Sequence, residues 1–183
     1  MIITVSGKAG SGKSTIAKAL AKKLGLKHYS SGDFMREMAK EKGITLAELS
    51  KQAEQDNCAI DKEIDERQKK LGETEKDFVI DGRLSAFFIP NADFKIFLDV
   101  ELDEGARRIV KDKRATESAE DIKEMKKKIE KREASEAKRY KQYYGFDCYD
   151  KSYYDILIDT TELGIEEILD KILKLVKREG KPD

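Results

Sequence analysis

The chain has 183 residues, of which 40% are charged, with 37 lysines and arginines balanced by 37 aspartates and glutamates. This length is sufficient for one domain with a sizeable core. A net charge of zero argues against a protein that binds nucleic acid or a membrane surface, because either ligand favours a basic field. The two cysteines, Cys58 and Cys148, lie far apart without neighbouring Cys or His, so we expect neither a disulfide scaffold nor a zinc site.

Targeting segments are not evident in the chain. The first residues contain no basic region followed by a long apolar run, and no stretch approaches the length of a membrane span. We therefore expect a cytoplasmic protein. Periodic apolar residues recur throughout, which argues against a disordered chain.

Five short runs are predicted to be β-strands: Ile2–Val5, Lys27–Ser30, Phe78–Asp81, Phe94–Val100 and Tyr154–Asp159. All but the second are nearly continuous apolar stretches, which is typical of strands covered on both faces. Helical segments lie between them, so the sequence predicts an α/β fold with an open, parallel, five-stranded sheet and helices on both faces. We expect residues 1–183 to form a single domain.

Two connections are longer than a simple crossover. The first holds an insertion at about 32–71 with about three short helices, whose predicted caps are Ser31, the pair Thr45 and Glu48, and Asp61. The second, from Asp103 to about Tyr144, is almost all helical pattern with a break near Arg114–Glu117 and a further cap at Ser118 with Asp121. Because such insertions sit where α/β proteins bind ligands, we expect a substrate arm at 32–71 and a lid at about 111–131.

A P-loop is the most specific motif of the chain. The pattern Gly-x-x-x-x-Gly-Lys-[Ser/Thr] is met by Gly7-Lys8-Ala9-Gly10-Ser11-Gly12-Lys13-Ser14, between the first strand and a helical segment that stops at Gly25. Backbone N–H groups and a helix N-terminus converge on an anion in such a loop. Lys13 is expected to reach the β- and γ-phosphates, and Ser14 to offer its hydroxyl to Mg²⁺. The sequence therefore predicts a nucleoside triphosphate site.

The third predicted strand ends in Asp81-Gly82-Arg83. A carboxylate beside a P-loop is suited to hold Mg²⁺ through water, so we assign that role to Asp81 in preference to Asp99, which also ends a strand. Arg83 is then expected to point at an acceptor phosphate or base.

One face of a predicted helix carries charged residues where a core pattern would continue. Positions 122, 125, 129, 132, 136 and 139 fall on one stripe, apolar in its first half and occupied by Arg132, Glu136 and Arg139 in its second. Two inward arginines after a P-loop are well placed to stabilise a transferring phosphoryl group. The alternative is that they form surface pairs with neighbouring carboxylates. Glu136 is expected either to orient a sugar hydroxyl or to neutralise its neighbours.

Further candidates lie at the roots of the two insertions. Arg36 lies one turn into a helix and is well placed to bind a monophosphate. Asp33 is expected either to accept hydrogen bonds from a base or ribose or simply to start the helix. Of the cations at the lid root, Arg108 is the favoured catalytic residue, whereas the single histidine, His28, is expected to be structural.

These segments together resemble the cytidylate kinases, in the compact form typical of archaea. The resemblance is carried by Ser31-Gly32-Asp33-Phe34-Met35-Arg36-Glu37, by Phe78 to Ser85, by Arg132 to Tyr140 with Tyr144-Gly145-Phe146-Asp147, and by Ile158 to Leu163. It covers nearly the whole chain in the right order.

The resemblance implies transfer of the γ-phosphoryl group of ATP to CMP, and to dCMP as well, with Mg²⁺ as cofactor. It implies that residues 7–15, Thr15 included, hold the ATP phosphates and that the 158–163 segment approaches the adenine. Ser31, Asp33, Arg36, Arg83 and Glu136 would bind the acceptor nucleotide, with Arg132 and Arg139 spanning both phosphates. The expected partners are these small molecules, with no nucleic acid and no membrane, and the protein is expected to be a monomer.

Two other functions remain open from the sequence. Another P-loop kinase of small acceptors, such as an adenylate or dephospho-coenzyme A kinase, would share the loop, although adenylate kinases usually place Phe-Pro-Arg after the Asp-Gly pair. A nucleotide-dependent regulatory protein is disfavoured, because no glycine follows an aspartate by three positions and neither Asn57 nor Asn91 precedes a lysine.

Overall fold

The computed structural model describes residues 1–46, 48, 49, 52, 59–114 and 121–179 of the chain. Within them, one sheet contains β1 (Ile2–Gly7), β2 (Lys27–Ser30), β3 (Phe78–Asp81), β4 (Phe94–Asp99) and β5 (Ile156–Asp159). The strand order is β2-β3-β1-β4-β5 and every pairing is parallel. The predicted five-stranded parallel sheet is confirmed, with small differences in where β1, β4 and β5 begin or end.

Helices connect these strands. Those with described bounds are α1 (Lys13–Leu24), α2 (Ser31–Glu41), α3 (Ala59–Thr74), α4 (Ser85–Phe88), α5 (Leu102–Arg114), α6 (Ile122–Tyr144) and α7 (Ile165–Glu179). A short 3-10 turn at Lys151–Tyr153 precedes β5. No helix in the described ranges is long and apolar enough to cross a membrane.

Strand alternation divides the core into two layers. Ile3 and Val79 pack with α1 and α7 on one face of the sheet, while Ile2, Phe78 and Ile80 pack with α2 and α3 on the other. Successive side chains of a strand point to opposite faces, so near-continuous apolar strands must be covered on both. The prediction of helices on both faces is confirmed.

Two close approaches of backbone to backbone position the P-loop. Gly7 has φ 147°, and a Cβ there would lie 2.1 Å from the carbonyl oxygen of Leu98 on β4. Gly10 has φ 76°, and its Cβ would lie 2.3 Å from the carbonyl oxygen of Gly105 on α5. Because only glycine avoids both the clash and the strain, these residues let the loop sit against β4 and the start of α5.

The predicted caps of the first insertion are partly corrected. The N-cap of α2 is Ser30, whose hydroxyl accepts from the backbone N–H of Gly32 at 3.2 Å, and Ser31 is the first helical residue instead. Asp61 lies within the first turn of α3 and does not cap it. The Thr45 and Glu48 capping box is confirmed by its reciprocal backbone bonds of 2.8 and 3.2 Å.

The lid region is only partly within the described residues. Asp121 is the N-cap of α6 and accepts from the backbone N–H of Lys123, whereas Ser118 and most of the expected break near 114–117 lie outside the described residues. Met125 and Ile129 are buried against α5, as the stripe predicts, but Ile122 is 37% exposed. The prediction that Ile122 is buried is therefore wrong. Ile122 is the first residue of α6.

Candidate active site

A cleft of about 430 Å³ opens beside the P-loop. Its walls come from α1, the start of α2, the end of β3, one face of α3 and the second half of α6. The structure brings together in this cleft most of the residues singled out from the sequence: Lys13, Ser14, Ser31, Asp33, Arg36, Asp81, Arg83, Arg132, Glu136 and Arg139.

The P-loop holds its lysine inside the loop. Lys13 begins α1 and its Nζ donates to the carbonyl oxygen of Lys8 at 2.6 Å, an acceptor that it shares with the Ser11 hydroxyl at 2.9 Å. The backbone N–H of Ala9 donates to Oε1 of Glu133 at 3.1 Å. A carboxylate from α6 therefore accepts from an anion-binding loop, and this contact ties α6 to the loop.

Lys13 is electrostatically unusual. Its pKa is lowered from 10.5 to about 7, first by burial and then by repulsion from Arg83 and Arg132, with Asp81 acting in the opposite direction. Desolvation and nearby like charge both disfavour the protonated ammonium. An anion placed between these three cations would reverse the second effect.

Asp81 is fixed by three neighbours. The hydroxyl of Ser14 donates to its Oδ2 at 2.6 Å, His28 Nε2 lies 2.8 Å from Oδ1, and the Ser30 hydroxyl is 3.3 Å from Oδ2. His28 is thus placed to orient Asp81, in line with its expected structural role. A hydroxyl and a carboxylate are hard oxygen ligands that suit Mg²⁺, which proteins commonly hold through one or two such groups together with substrate phosphates. The described residues contain no cluster of three or more His, Cys, Asp or Glu side chains able to form a complete metal cage.

Glu136 joins two of the arginines. It is buried, and its Oε2 lies 2.5 Å from Nε of Arg83 while its Oε1 accepts from Nε of Arg132 at 2.9 Å. Tyr149 also donates to Oε2, at 2.9 Å, and burial raises the pKa of its phenol so that it stays protonated. The carboxylate therefore orients both guanidinium groups along the cleft.

Buried nitrogens of two arginines have no hydrogen-bond partner in the described part of the protein. They are Nη2 of Arg83 and Nε of Arg139. Arg139 also lies 3.6 Å from the carboxylate of Asp61 and over the ring of Tyr140. An unpaired buried donor is costly, so the pattern is typical of a site that a bound anion completes.

The start of α2 contributes the remaining acceptor-side residues. Asp33 lies in the first turn and forms an ion pair with Arg36 one turn later. Ser31 is close to the backbone at position 82, where a Cβ would lie 3.0 Å from its hydroxyl. Asp33 thus lies in the first turn of the helix and borders the cleft, so both of its expected roles remain compatible with its position.

Arg108 does not border the cleft with the other candidates. Its Nε donates to Glu104, its Nη2 donates to the carbonyl oxygens of Thr160 and Thr161 at 2.7 and 3.1 Å, and its Nη1 donates to the Thr160 hydroxyl at 3.2 Å. These bonds hold the guanidinium on the segment after β5, and the catalytic role of Arg108 stays a prediction.

Sequence reasoning missed a polar face of α3. Asp65 and Gln68 border the cleft and are 7% and 2% exposed. Burial raises the pKa of Asp65 from 3.8 to about 6, against the effect of the hydrogen bond from Tyr144 and with a further increase from Asp61. Their spacing of three, on the same face as buried Ile64, is the signal that could have identified them.

The fold and the cleft define a P-loop nucleotide-binding protein in which Arg83, Arg132 and Arg139 border the cleft beside the loop. The model of the cytidylate kinase-like family matches residues 2–162. This chain belongs to that family.

Relatives in archaea support the assignment. The chain is 38% identical to a protein named cytidylate kinase from Archaeoglobus fulgidus, over 97% of this chain and 95% of that protein. It is 42% identical to one of the same name from Methanobrevibacter smithii, over 97% and 99% of the two chains. A Thermococcus kodakarensis protein of that name is 43% identical, over 90% and 81%.

Solved structures with lower sequence identity share the fold. An uncharacterized protein from Eubacterium ventriosum superposes with a TM-score of 0.70 at 22% identity, covering 97% of this chain and 98% of that one. A shikimate kinase from Bacteroides thetaiotaomicron gives 0.68 at 18% identity, with the same coverage. These similarities concern the architecture.

The lowered pKa of Lys13 generates a prediction for nucleotide binding. Bound phosphates raise this pKa, so above pH 7 binding must take up a proton. The Kd for ATP should therefore rise from pH 7.5 to 9.5, by up to about tenfold per pH unit. Isothermal titration calorimetry in two buffers of different ionisation enthalpy measures both the Kd and the proton uptake.

The matched control for this prediction is Lys13→Arg. A guanidinium stays charged throughout this range, so the variant should bind with an affinity that barely depends on pH, even if it binds more weakly. A pH-independent Kd in the unsubstituted protein would contradict a lowered pKa for Lys13.

Proposed function

We propose that this protein transfers the γ-phosphoryl group of ATP to CMP, and to dCMP, giving ADP and the cytidine diphosphate with Mg²⁺ as cofactor. The observation that carries the proposal is the meeting of the P-loop lysine with Arg83, Arg132 and Arg139 in one cleft. The names of the archaeal relatives support CMP as the acceptor.

On the donor side, residues 7–15 would hold the ATP phosphates through backbone N–H groups and the Lys13 ammonium. Lys13 would exchange its bond to the Lys8 carbonyl for phosphate oxygens. The segment at Thr160 and Thr161, held by Arg108 and by a 3.4 Å contact from the Thr160 hydroxyl to the Ser11 carbonyl, would lie on the adenine side.

Mg²⁺ would be held by the Ser14 hydroxyl and, through water, by Asp81, whose orientation His28 maintains. When bound, the ion would neutralise charge on the β- and γ-phosphates. The chain's own contribution is to keep this hydroxyl and carboxylate 2.6 Å apart at the mouth of the loop.

On the acceptor side, Arg36, Arg83 and Arg139 would bind the monophosphate, and Arg132 would span both phosphates. Phosphoryl transfer relies on positioning and on stabilising charge that develops on the transferred group. Both oxygens of Glu136 already accept from Arg83, Arg132 and Tyr149, which favours its role as a neutralising and orienting group over direct contact with a sugar.

An acceptor panel tests the substrate. The protein is mixed with MgATP and with AMP, CMP, dCMP, UMP, dephospho-coenzyme A or shikimate, and ADP release is measured in a coupled assay. CMP should give the highest kcat/KM. ATP hydrolysis in the absence of an acceptor should remain low, because we expect the two arms to close into a catalytic arrangement, from which water is excluded, only when both nucleotides are bound. A higher kcat/KM for another acceptor overturns the proposed substrate.

Arginine variants test the mechanism. Arg132→Ala and Arg139→Ala should each lower kcat by about 10²- to 10³-fold, the loss typical of a removed transition-state donor. Steady-state kinetics with CMP measures this, and thermal unfolding should show a nearly unchanged Tm.

Arg107→Ala is the matched control, since Arg107 is a 60% exposed arginine that pairs with Glu104 on α5 and does not border the cleft. It should leave kcat and Tm unchanged. If Arg132→Ala and Arg139→Ala instead lower Tm and leave kcat intact, these arginines are structural ion pairs.

A further inference from the structure

Part of the cleft wall is suited to a flat, polar-edged ring. Beside the cations, the cleft is bordered by the apolar side chains of Met35, Ile64 and Leu84 and by the polar side chains of Asp65 and Gln68. Apolar walls with a few fixed polar groups are typical of a site that binds an aromatic ligand in one orientation. The function proposed above leaves this part of the cleft without a role.

Asp65 presents an acceptor. Tyr144 donates its phenolic O–H to Oδ2 of Asp65. Within the described ranges, Tyr144 is the hydrogen-bond partner of the Asp65 carboxylate. The other oxygen, Oδ1, can therefore accept a hydrogen bond from a ligand. The pKa of about 6 keeps the carboxylate ionised at neutral pH.

Gln68 presents a donor. The hydroxyl of Ser85, a fully buried residue at the start of α4, donates to Oε1 of Gln68 at 2.7 Å. Since this bond occupies the carbonyl oxygen, the amide nitrogen is the group that Gln68 can offer to a ligand. The burial of Ser85 and Gln68 fixes the amide orientation.

Asp65 and Gln68 are three residues apart on α3, so their side chains lie on the same helix face about 5–6 Å apart at Cβ. An acceptor beside a donor complements one pyrimidine and not the other. Cytosine carries an N4 amino donor next to the N3 acceptor, whereas uracil carries the O4 acceptor next to the N3–H donor.

We propose that Asp65 and Gln68 are the specificity-determining pair that selects cytosine over uracil. Asp65 accepts from the N4 amino group, and the Gln68 amide donates to N3 or O2 of the base. Uracil in the same position would place its O4 acceptor against the Asp65 carboxylate and its N3–H donor against the Gln68 amide. Neither side chain would then have a hydrogen-bond partner, and binding sites reject such a mismatch strongly. This inference rests on the proposed acceptor being a pyrimidine monophosphate.

Two substitutions test the pair by reversing its pattern. In Asp65→Asn the side-chain oxygen can still accept from Tyr144, while the amide nitrogen now donates toward O4 of uracil. In Gln68→Glu an acceptor replaces the donor. Each should lower the ratio of kcat/KM for CMP to that for UMP by about 10- to 100-fold, the discrimination expected of one base-edge contact.

Asp61→Asn is the matched control. Asp61 lies one turn before Asp65 on α3, borders the same cleft and pairs with Arg139. Its loss should change kcat/KM for CMP and UMP by the same factor and leave their ratio intact. A CMP-to-UMP ratio that changes in Asp65→Asn and Gln68→Glu but not in Asp61→Asn therefore separates base recognition from a general disturbance of the helix. If Asp65→Asn does not fold, Gln68→Glu alone carries the test.

The outcomes distinguish this inference from the function on which it rests. If the unsubstituted protein prefers CMP but both variants keep its CMP-to-UMP ratio, the specificity pair is wrong and the proposed function stands. If the unsubstituted protein uses CMP and UMP equally well, the specificity pair is likewise wrong, and the proposed phosphoryl transfer to CMP stands. If it phosphorylates neither, the proposed function itself fails.

Discussion

The cleft depends on the repulsion among four cations that three parts of the chain bring together. Lys13 comes from the P-loop, Arg83 from the end of β3, and Arg132 and Arg139 from α6. Glu136 offsets part of this repulsion by bonding Arg83 and Arg132. Glu136 and Arg83 are both mostly buried, so solvent screens their interaction only weakly, whereas Arg132 is 63% exposed. The geometry of the cleft therefore depends on this one carboxylate.

The residual repulsion is visible in the structure. It contributes to the lowered pKa of Lys13, and buried nitrogens of Arg83 and Arg139 lack partners in the described residues. Buried charges that are incompletely compensated reduce stability relative to an apolar core. Two phosphate-bearing ligands would supply the missing negative charge and hydrogen-bond acceptors, so the arrangement is better suited to binding than to stabilising the fold.

Much of this site was predictable because it depends on local patterns. The P-loop follows from a contiguous motif, and the Arg132, Glu136 and Arg139 stripe follows from helical spacing on α6. The spacing of Asp65 and Gln68 could have indicated a shared helix face, but it could not identify their hydrogen-bond partners, Tyr144 and Ser85, which lie 79 and 17 positions away. Arg108 was predicted to be catalytic from its charge and its place at the lid root, and its hydrogen bonds to the carbonyl oxygens of Thr160 and Thr161 are visible only in the tertiary structure.

The sequence by itself determined the strands, their coverage by helices and the presence of a phosphate-binding loop, because each is encoded in the periodicity or spacing of neighbouring residues. The tertiary structure alone decided which charges face one another. The helical spacing placed Glu136 between two arginines, and only the structure shows that its oxygens accept from Arg83, Arg132 and Tyr149. Such pairings depend on distances between separate elements, and a pattern along one helix specifies a face without specifying what lies opposite it.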